Sequence, residues 1–319
     1  MDEFSWITSL RAELDGGLAL PWGIGDDAAV LQPLEASRVI ATDLLVEGVH
    51  FRRDWSTLED IAFKLYASNA SDMWAMGARP VEWLLTVAWP QRPDEEDARA
   101  LRRGFQDAMA MWGTAPLIGG DTSTSQGALM LSVTMLGELY GEPWCRSGFV
   151  PGDRLWVDGP LGLAAAGLAE LQAFGADADR GSPCVRQQRR PQRLPAATQF
   201  HARGAIDISD GLSVDLQHAA EASGVRMVLD QPLPGGPALE EAARRLKTKP
   251  SEVVDACAQW QLRGGEDYVR VVGFPACPGD GWTAIGYVEK GAPSVFDERS
   301  GERQAMPPAG WNHFRDASS

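Results

Sequence analysis

The chain is poor in cysteine and histidine, with four of each in 319 residues. Cys145, Cys184, Cys257 and Cys277 are scattered and form no Cys-x-x-Cys pair, which argues against a zinc site and leaves no legible disulfide framework. A reducing, cytoplasmic location is expected. No apolar run is long enough to cross a membrane. The N-terminus, MDEFSWITSL, is acidic and lacks a signal-peptide pattern. The Walker pattern GxxxxGK[ST] is absent, as are EF-hand spacing and any solenoid repeat. Positive charge is also scarce: 29 Lys and Arg stand against 44 Asp and Glu, a formal net charge of −15. Such a field repels nucleic acid and anionic membrane, so neither is an expected partner. It does not repel a divalent cation.

What is present suits two domains with real cores. Strand-like and helix-like runs alternate throughout, which predicts an α/β or α+β fold. In the first half, 37–42 reads as a short strand with Asp43 at its end. Residues 56–80 read as a helix with a Ser56/Glu59 capping box, ended by Gly77 and Pro80. Residues 82–89 read as a strand, 94–113 as an amphipathic helix, 115–123 as a short strand running into a Gly-Gly turn, and 128–139 as a strand. A Pro- and Gly-rich stretch at 143–153 marks the expected boundary, giving domains 1–142 and 143–319. In the second domain, 161–174 reads as a helix and the basic 176–195 as a surface connection with solvated arginines.

Acidic residues recur where elements end. AIDISDGL (205–212) puts Asp207 and Asp210 three apart between a strand-like and a helix-like run. A helix N-terminus accounts for one carboxylate as a cap, but not for two. GIGDDAAVL (23–31) carries Asp26 and Asp27, ATDLLVEGVHF (41–51) Thr42 and Asp43, IGGDTS Asp121, and GGED Glu266 and Asp267. Asp72 falls inside a helix with Asn69 and Ser68 on its face. This set of carboxylates, on glycine-flanked turns and with no basic residue beside them, suits hard oxygen ligation of Mg²⁺. Without a P-loop lysine, several Mg²⁺ ions are expected to neutralise phosphate charge.

Together GIGDDAAVL, ATDLLVEGVHF, NASDMWAMGARP, LIGGDTS, RSGFVPGD, AIDISDGL and GGEDY, in this order over residues 23–268, resemble the thiamine-monophosphate kinase family. That family belongs to the aminoimidazole ribonucleotide synthetase-like superfamily. GWNHF (310–314) extends the match. The resemblance implies direct in-line transfer of the ATP γ-phosphoryl group to thiamine monophosphate, the last step of thiamine diphosphate biosynthesis, with several Mg²⁺ ions. It implies an N-terminal ATP/Mg-binding domain that forms a homodimer through its sheet, and a C-terminal α/β domain. Position by position, Asp27, Thr42, Asp43, Asp72, Asp121, Asp207 and Asp210 match metal positions. Gly104, Gly120, Asp121, Arg146 and Ser209 match ATP contacts, and His50, Glu266 and Trp311 match substrate contacts.

One departure is Ala41, where the family often carries a serine that contributes to a metal site. Rival members of the superfamily fit less well. A selenophosphate synthetase would want a reactive cysteine near the N-terminus, and a hydrogenase-maturation protein would want a C-terminal one. EGVHF and GIGDDAAV favour the thiamine enzyme over aminoimidazole ribonucleotide synthetase.

Overall fold

The computed structural model of the chain describes residues 37–179, 181–193, 201–247 and 249–312. Asp27 lies outside the described residues. Two units follow one another along the chain, Met1–Gly141 and Glu142–Ser319.

In the first unit, β1 (Arg38–Val46), β2 (Ala78–Trp89), β3 (Leu117–Thr124) and β4 (Met130–Leu139) form one sheet in the order β1-β4-β2-β3. β3 runs parallel to β2 and the other pairs are antiparallel. Helices α1 (Leu58–Ala75) and α2 (Glu95–Trp112) pack together, α1 also against the sheet. Trp83, Tyr66 and Phe105 meet in the core: Trp83 stands edge-on to Tyr66 at 5.4 Å and tilts against Phe105 at 4.8 Å. The Tyr66 hydroxyl donates to the Gly113 carbonyl at 2.6 Å, which satisfies its one polar atom.

Several element ends differ from the sequence reading. α1 begins one residue later than expected, because Thr57 and Asp60 form the capping box, each side chain accepting the other's backbone N–H. It stops at Ala75, and Ala78–Pro80 already belong to β2. β1 runs past Thr42 to Val46 because β4 pairs with it all the way from Glu138 to Met130, so Asp43 lies within the strand and not at its end. The Gly-Gly of LIGGDTS is no turn. β3 runs straight through it, and a Cβ on Gly120 would sit 1.9 Å from the Leu85 carbonyl oxygen.

In the second unit, β5 (Arg154–Val157), β6 (Gly204–Asp207), β7 (Arg226–Leu229), β8 (Arg270–Phe274), β9 (Thr283–Glu289), β10 (Ser294–Asp297) and β11 (Gln304–Ala305) form a sheet in the order β11-β10-β7-β9-β5-β8-β6. Its helices are α3 (Leu163–Phe174), α4 (Pro183–Arg189), α5 (Leu212–Ser223), α6 (Gly236–Leu246) and α7 (Pro250–Arg263). α5 joins the main apolar core through Leu212, Leu216, Ala219 and Ala220, against Ile206, Val271 and Ile285 of the sheet. A smaller cluster of Trp144, Ala205, Val272 and Trp282 lies apart from it.

The stretch expected as a plain surface connection holds α4. Ser182 caps it, Pro183 opens it, and Cys184, Val185, Gln187 and Gln188 are buried. Gly167 of α3 permits the approach, since a Cβ there would lie 2.1 Å from the Cys184 carbonyl oxygen. Of its described arginines Arg186 is exposed, and Arg189, Arg190 and Arg193 are half-buried.

Gly104 has a packing task. It is buried in α2, where a Cβ would sit 2.1 Å from the Glu59 carbonyl oxygen of α1. Gly104→Ala should therefore cost about 1–3 kcal/mol through forced separation of the two helices. Thermal denaturation checks this, and an unchanged Tm would remove the packing role.

Candidate active site

In the first unit the candidate residues divide between the two faces of the sheet. Successive strand residues point to opposite sides, so Thr42 and Asp43 part company. The Thr42 hydroxyl donates to the Val133 carbonyl at 3.1 Å and lies 3.0 Å from the Thr134 hydroxyl, on the exposed face. Asp43 turns toward α1, where burial raises its carboxyl pKa and a hydrogen bond with Ser68 opposes the rise. Asp72 stands in the last turn of α1, which carries no basic residue. A carboxylate there faces the negative end of the helix dipole, a placement that favours a nearby cation.

The helix face beside Asp72 is unusually polar for a buried surface. Lys64 is only 3% exposed, and Ser68 and Asn69 are buried with it. Lys64 is the one basic residue of this helix. The Asn69 amide donates to the Leu65 carbonyl at 3.0 Å, but its buried Oδ1 has no hydrogen-bond partner. Such an orphaned acceptor is costly unless something donates or coordinates to it.

His50 lies in the turn after β1. Its Nδ1 accepts the Val46 N–H at 3.0 Å, so the neutral ring carries its proton on Nε2. Asp121 is exposed on β3, and its Oδ1 accepts the N–H of Thr122 at 2.9 Å. β1 and β3 are opposite edges of the sheet, which puts Asp43 and Asp121 three strand spacings apart, about 14 Å. The unit does not bring those two carboxylates together.

The second unit gathers its residues more tightly. Asp207 ends β6 and is buried. The N–H groups of Ser209, Asp210 and Gly211 all donate to one oxygen of Asp215, each at 3.1 Å. Gly211, the N-cap of α5, has no side chain to offer. Asp215 therefore satisfies the open end of the helix from inside its first turn. Burial first, and then the charges of Asp207 and Asp210, push its carboxyl up to about 7. The sequence reading assigned one of Asp207 and Asp210 to capping. In the structure Asp215 fills that role, and the Asp210 carboxylate takes no hydrogen bond among the described residues.

Two distant segments are tied to this turn. The Ser209 carbonyl accepts the Glu266 N–H at 2.8 Å, and the Asp210 carbonyl accepts the Trp311 N–H at 2.9 Å. Ser209, Asp210, Glu266 and Trp311 thus converge at the end of β6. Glu266 and Tyr268 both adopt positive φ, 64° and 51°, which is rare for residues with side chains. Between them Asp267 is fully buried and accepts the N–H groups of Gly162 and Ala164 at the start of α3, at 2.6 and 3.2 Å. Gln188 of α4 donates to Glu266 at 3.5 Å. Arg146 is exposed, and its guanidinium has no partner among the described residues.

Among the described residues, no three His, Cys, Asp or Glu side chains form a ready-made metal cluster. Within each unit the candidate donors are nevertheless hard oxygens, Asp43, Asp72 and the orphaned Asn69 Oδ1 in the first and Asp207 and Asp210 in the second. That chemistry fits Mg²⁺. Sequence reading missed Lys64, Asp215 and the buried Arg270. For Asp215 the signal was an aspartate in the first turn of a helix whose N-cap is glycine.

Residues 25–139 match the family described as AIR synthase related protein, N-terminal domain. The chain is 37% identical over 303 residues to the thiamine-monophosphate kinase of Mycobacterium tuberculosis, covering 92% of this chain and 85% of that one. It superposes on the crystal structure of thiamine-monophosphate kinase from Stenotrophomonas maltophilia with a TM-score of 0.77 at 33% identity, covering 93% and 97% of the two chains. On the structure titled AaThiL complexed with AMPPCP and TMP the TM-score is 0.76 at 28% identity, covering 98% and 97%.

Burial pushes the Asp267 carboxyl up to about 7, against the pull of its two N–H donors and from an ordinary value of 3.8. Between about pH 4 and 7 the folded chain holds a proton that the unfolded chain has released, so this group's contribution to stability is full below that window and lost as pH rises through it. Asp267→Asn should flatten that fall. Chemical denaturation at about pH 5 and about pH 7.5 checks it, and an unchanged slope would place the titration elsewhere.

Proposed function

The chain belongs to the thiamine-monophosphate kinase family, and we propose that it transfers the γ-phosphoryl group of ATP to the phosphate of thiamine monophosphate, giving ADP and thiamine diphosphate. This would be the last step of thiamine diphosphate biosynthesis. The observation that carries the reading is the Asp207–Gly211 turn. Its helix-capping work is done by Asp215, so neither Asp207 nor Asp210 caps the helix, and the Asp210 carboxylate stands beside Ser209, Glu266 and Trp311 with no hydrogen bond among the described residues.

The nucleophile is a phosphate oxygen that is already anionic, so no strong base is required. Catalysis then rests on positioning and on charge. Asp43, Asp72, Asp207 and Asp210 would hold Mg²⁺, with Asp27 and Asp121 as further ligands, and the bound ions would neutralise phosphate charge during in-line transfer. Any contribution of Thr42 to the Asp43 site comes from its main chain, because its hydroxyl is on the other face. Ala41 likewise offers only main chain. Gly120 and Ser209 face the nucleotide. The unpartnered Arg146 guanidinium pairs with its phosphates. Nε2–H of His50 donates to the substrate phosphate, Glu266 meets the cationic end of thiamine, and Trp311, 51% exposed, stacks on it.

The first unit is read as the ATP- and Mg²⁺-binding and dimerisation domain. Its sheet leaves Ile40 and Leu44 exposed at 69% and 51%, which supports a homodimer built on that face. The cytoplasm is the proposed location; all four cysteines are free, and no described helix is long and apolar enough to cross a membrane.

ADP release with Mg-ATP tests the reading, comparing thiamine monophosphate with thiamine and with an aminoimidazole-pathway substrate. Mg²⁺-dependent turnover with thiamine monophosphate alone is expected, with thiamine diphosphate as product. A folded protein inert toward it would move the assignment to another acceptor. Asp210→Asn should lower kcat by about 100-fold or more with little change in Tm. Trp311→Ala should raise KM for thiamine monophosphate and leave KM for ATP alone. Equal effects on the two would remove the stacking role.

A further inference from the structure

A buried cation stands beside Asp207. Arg270 is 4% exposed and opens β8 directly opposite Asp207 of β6. Its N–H donates to Asp158 Oδ1 at 2.6 Å, its carbonyl accepts the Asp158 N–H at 3.2 Å, and its Nε donates to Asp158 Oδ2 at 2.6 Å. Both main-chain groups of Arg270 are therefore turned to Asp158, away from β6. That makes Asp207 and Arg270 a non-hydrogen-bonded antiparallel pair, the kind in which opposed side chains lie closest. The two side chains share one face of the sheet. On that face the guanidinium lies 5.2 Å from the Trp282 ring centroid and 5.9 Å from that of Trp144. Asp158 fixes it in one direction and the two indoles restrict its plane.

We propose that Arg270 is a positioning residue for Asp207. Held by Asp158 and the two tryptophans, it fixes the Asp207 carboxylate so that one oxygen is presented to a divalent cation. One guanidinium is shared between two carboxylates, which leaves a single negative charge for the cation to meet. Outer groups that orient a ligating carboxylate commonly set metal affinity in this way. The inference rests on the reading of Asp207 as a Mg²⁺ ligand.

The test is Mg²⁺ binding by calorimetry without nucleotide, beside kcat, KM and Tm, on the full chain. Arg270→Met alone would strand a buried carboxylate, so the main variant is Asp158→Asn/Arg270→Met, which removes both charges and keeps an acceptor for the residue 270 N–H. Arg270→Lys, which keeps the charge but not the fork, is the second. The double variant should bind Mg²⁺ about 10- to 100-fold more weakly, with kcat falling in step and KM for thiamine monophosphate unchanged. Arg270→Lys should show a smaller loss of the same kind. Tighter Mg²⁺ binding by the double variant would mean that Arg270 only repels the cation, and would overturn the proposal. A lowered Tm with wild-type Mg²⁺ affinity, in either variant, would make the cluster merely structural and overturn it too. Failure of the wild-type chain itself to bind Mg²⁺ would overturn the functional reading and this inference with it, whereas wild-type binding matched by both variants overturns the inference alone.

Discussion

One oxygen of Asp215 accepts three consecutive backbone N–H groups, and the Asp207–Gly211 turn of the second unit depends on that arrangement. A helix start leaves N–H groups without intrahelical partners, and the residue before it usually supplies the missing acceptor. Here the N-cap is Gly211, at φ 131°, where a Cβ would approach the Arg263 carbonyl oxygen to 2.8 Å. The chain passes too close to α7 for a capping side chain at that position. An acceptor one turn into α5 resolves the conflict, and neither Asp207 nor Asp210 has to cap the helix. The cost is a buried Asp215 within reach of the charges of Asp207 and Asp210, visible in its raised pKa. A cation would relieve that cost, which is the physical ground for the Mg²⁺ role proposed for this turn.

The first unit carries a buried polar surface of a different kind. α1 buries Lys64, Ser68, Asn69 and Ser71 along with its apolar residues, and carries Asp72 at the end where a carboxylate is least welcome. A helix made only for packing would fill those positions with alanine or leucine. Polar groups kept in a core, one of them an acceptor without a donor, point to a surface shaped for a ligand rather than for stability alone.

Much of this was legible in the sequence. Alternating elements, Asp72 inside a helix, and Asp207 and Asp210 between a strand and a helix were readable from local hydrophobic pattern and turn residues. What escaped was set by pairing between distant segments. Asp43 became a mid-strand residue because β4 extends β1, and the Gly-Gly of LIGGDTS became strand because β2 accepts a close neighbour. Thr57 won the cap from Ser56 because Asp60 reciprocates its hydrogen bond. α4 escaped because its polar sequence hides the buried residues that Gly167 admits against α3. Gly104 was singled out by its match to a family nucleotide position, and its close approach to α1 was not legible because it depends on how two helices pack.

The left-handed backbone at Glu266 and Tyr268 shows what holds such a site in shape. Each residue costs of order 1–3 kcal/mol in that conformation, so the surroundings must compel it. Three constraints do so. The Glu266 and Tyr268 N–H groups are fixed to the carbonyls of Ser209 and Ile208, and Asp267 between them is anchored at the start of α3. A regular strand through this segment would turn successive side chains to opposite faces and pull Asp267 out of its pocket at α3. The two positive φ angles let Asp267 point inward while the Glu266 main chain stays bonded to the Asp207–Gly211 turn. Strain at GGED is thus the local consequence of joining a helix start, a strand end and the acidic turn at one place, and it is paired with burial deep enough to keep the join rigid.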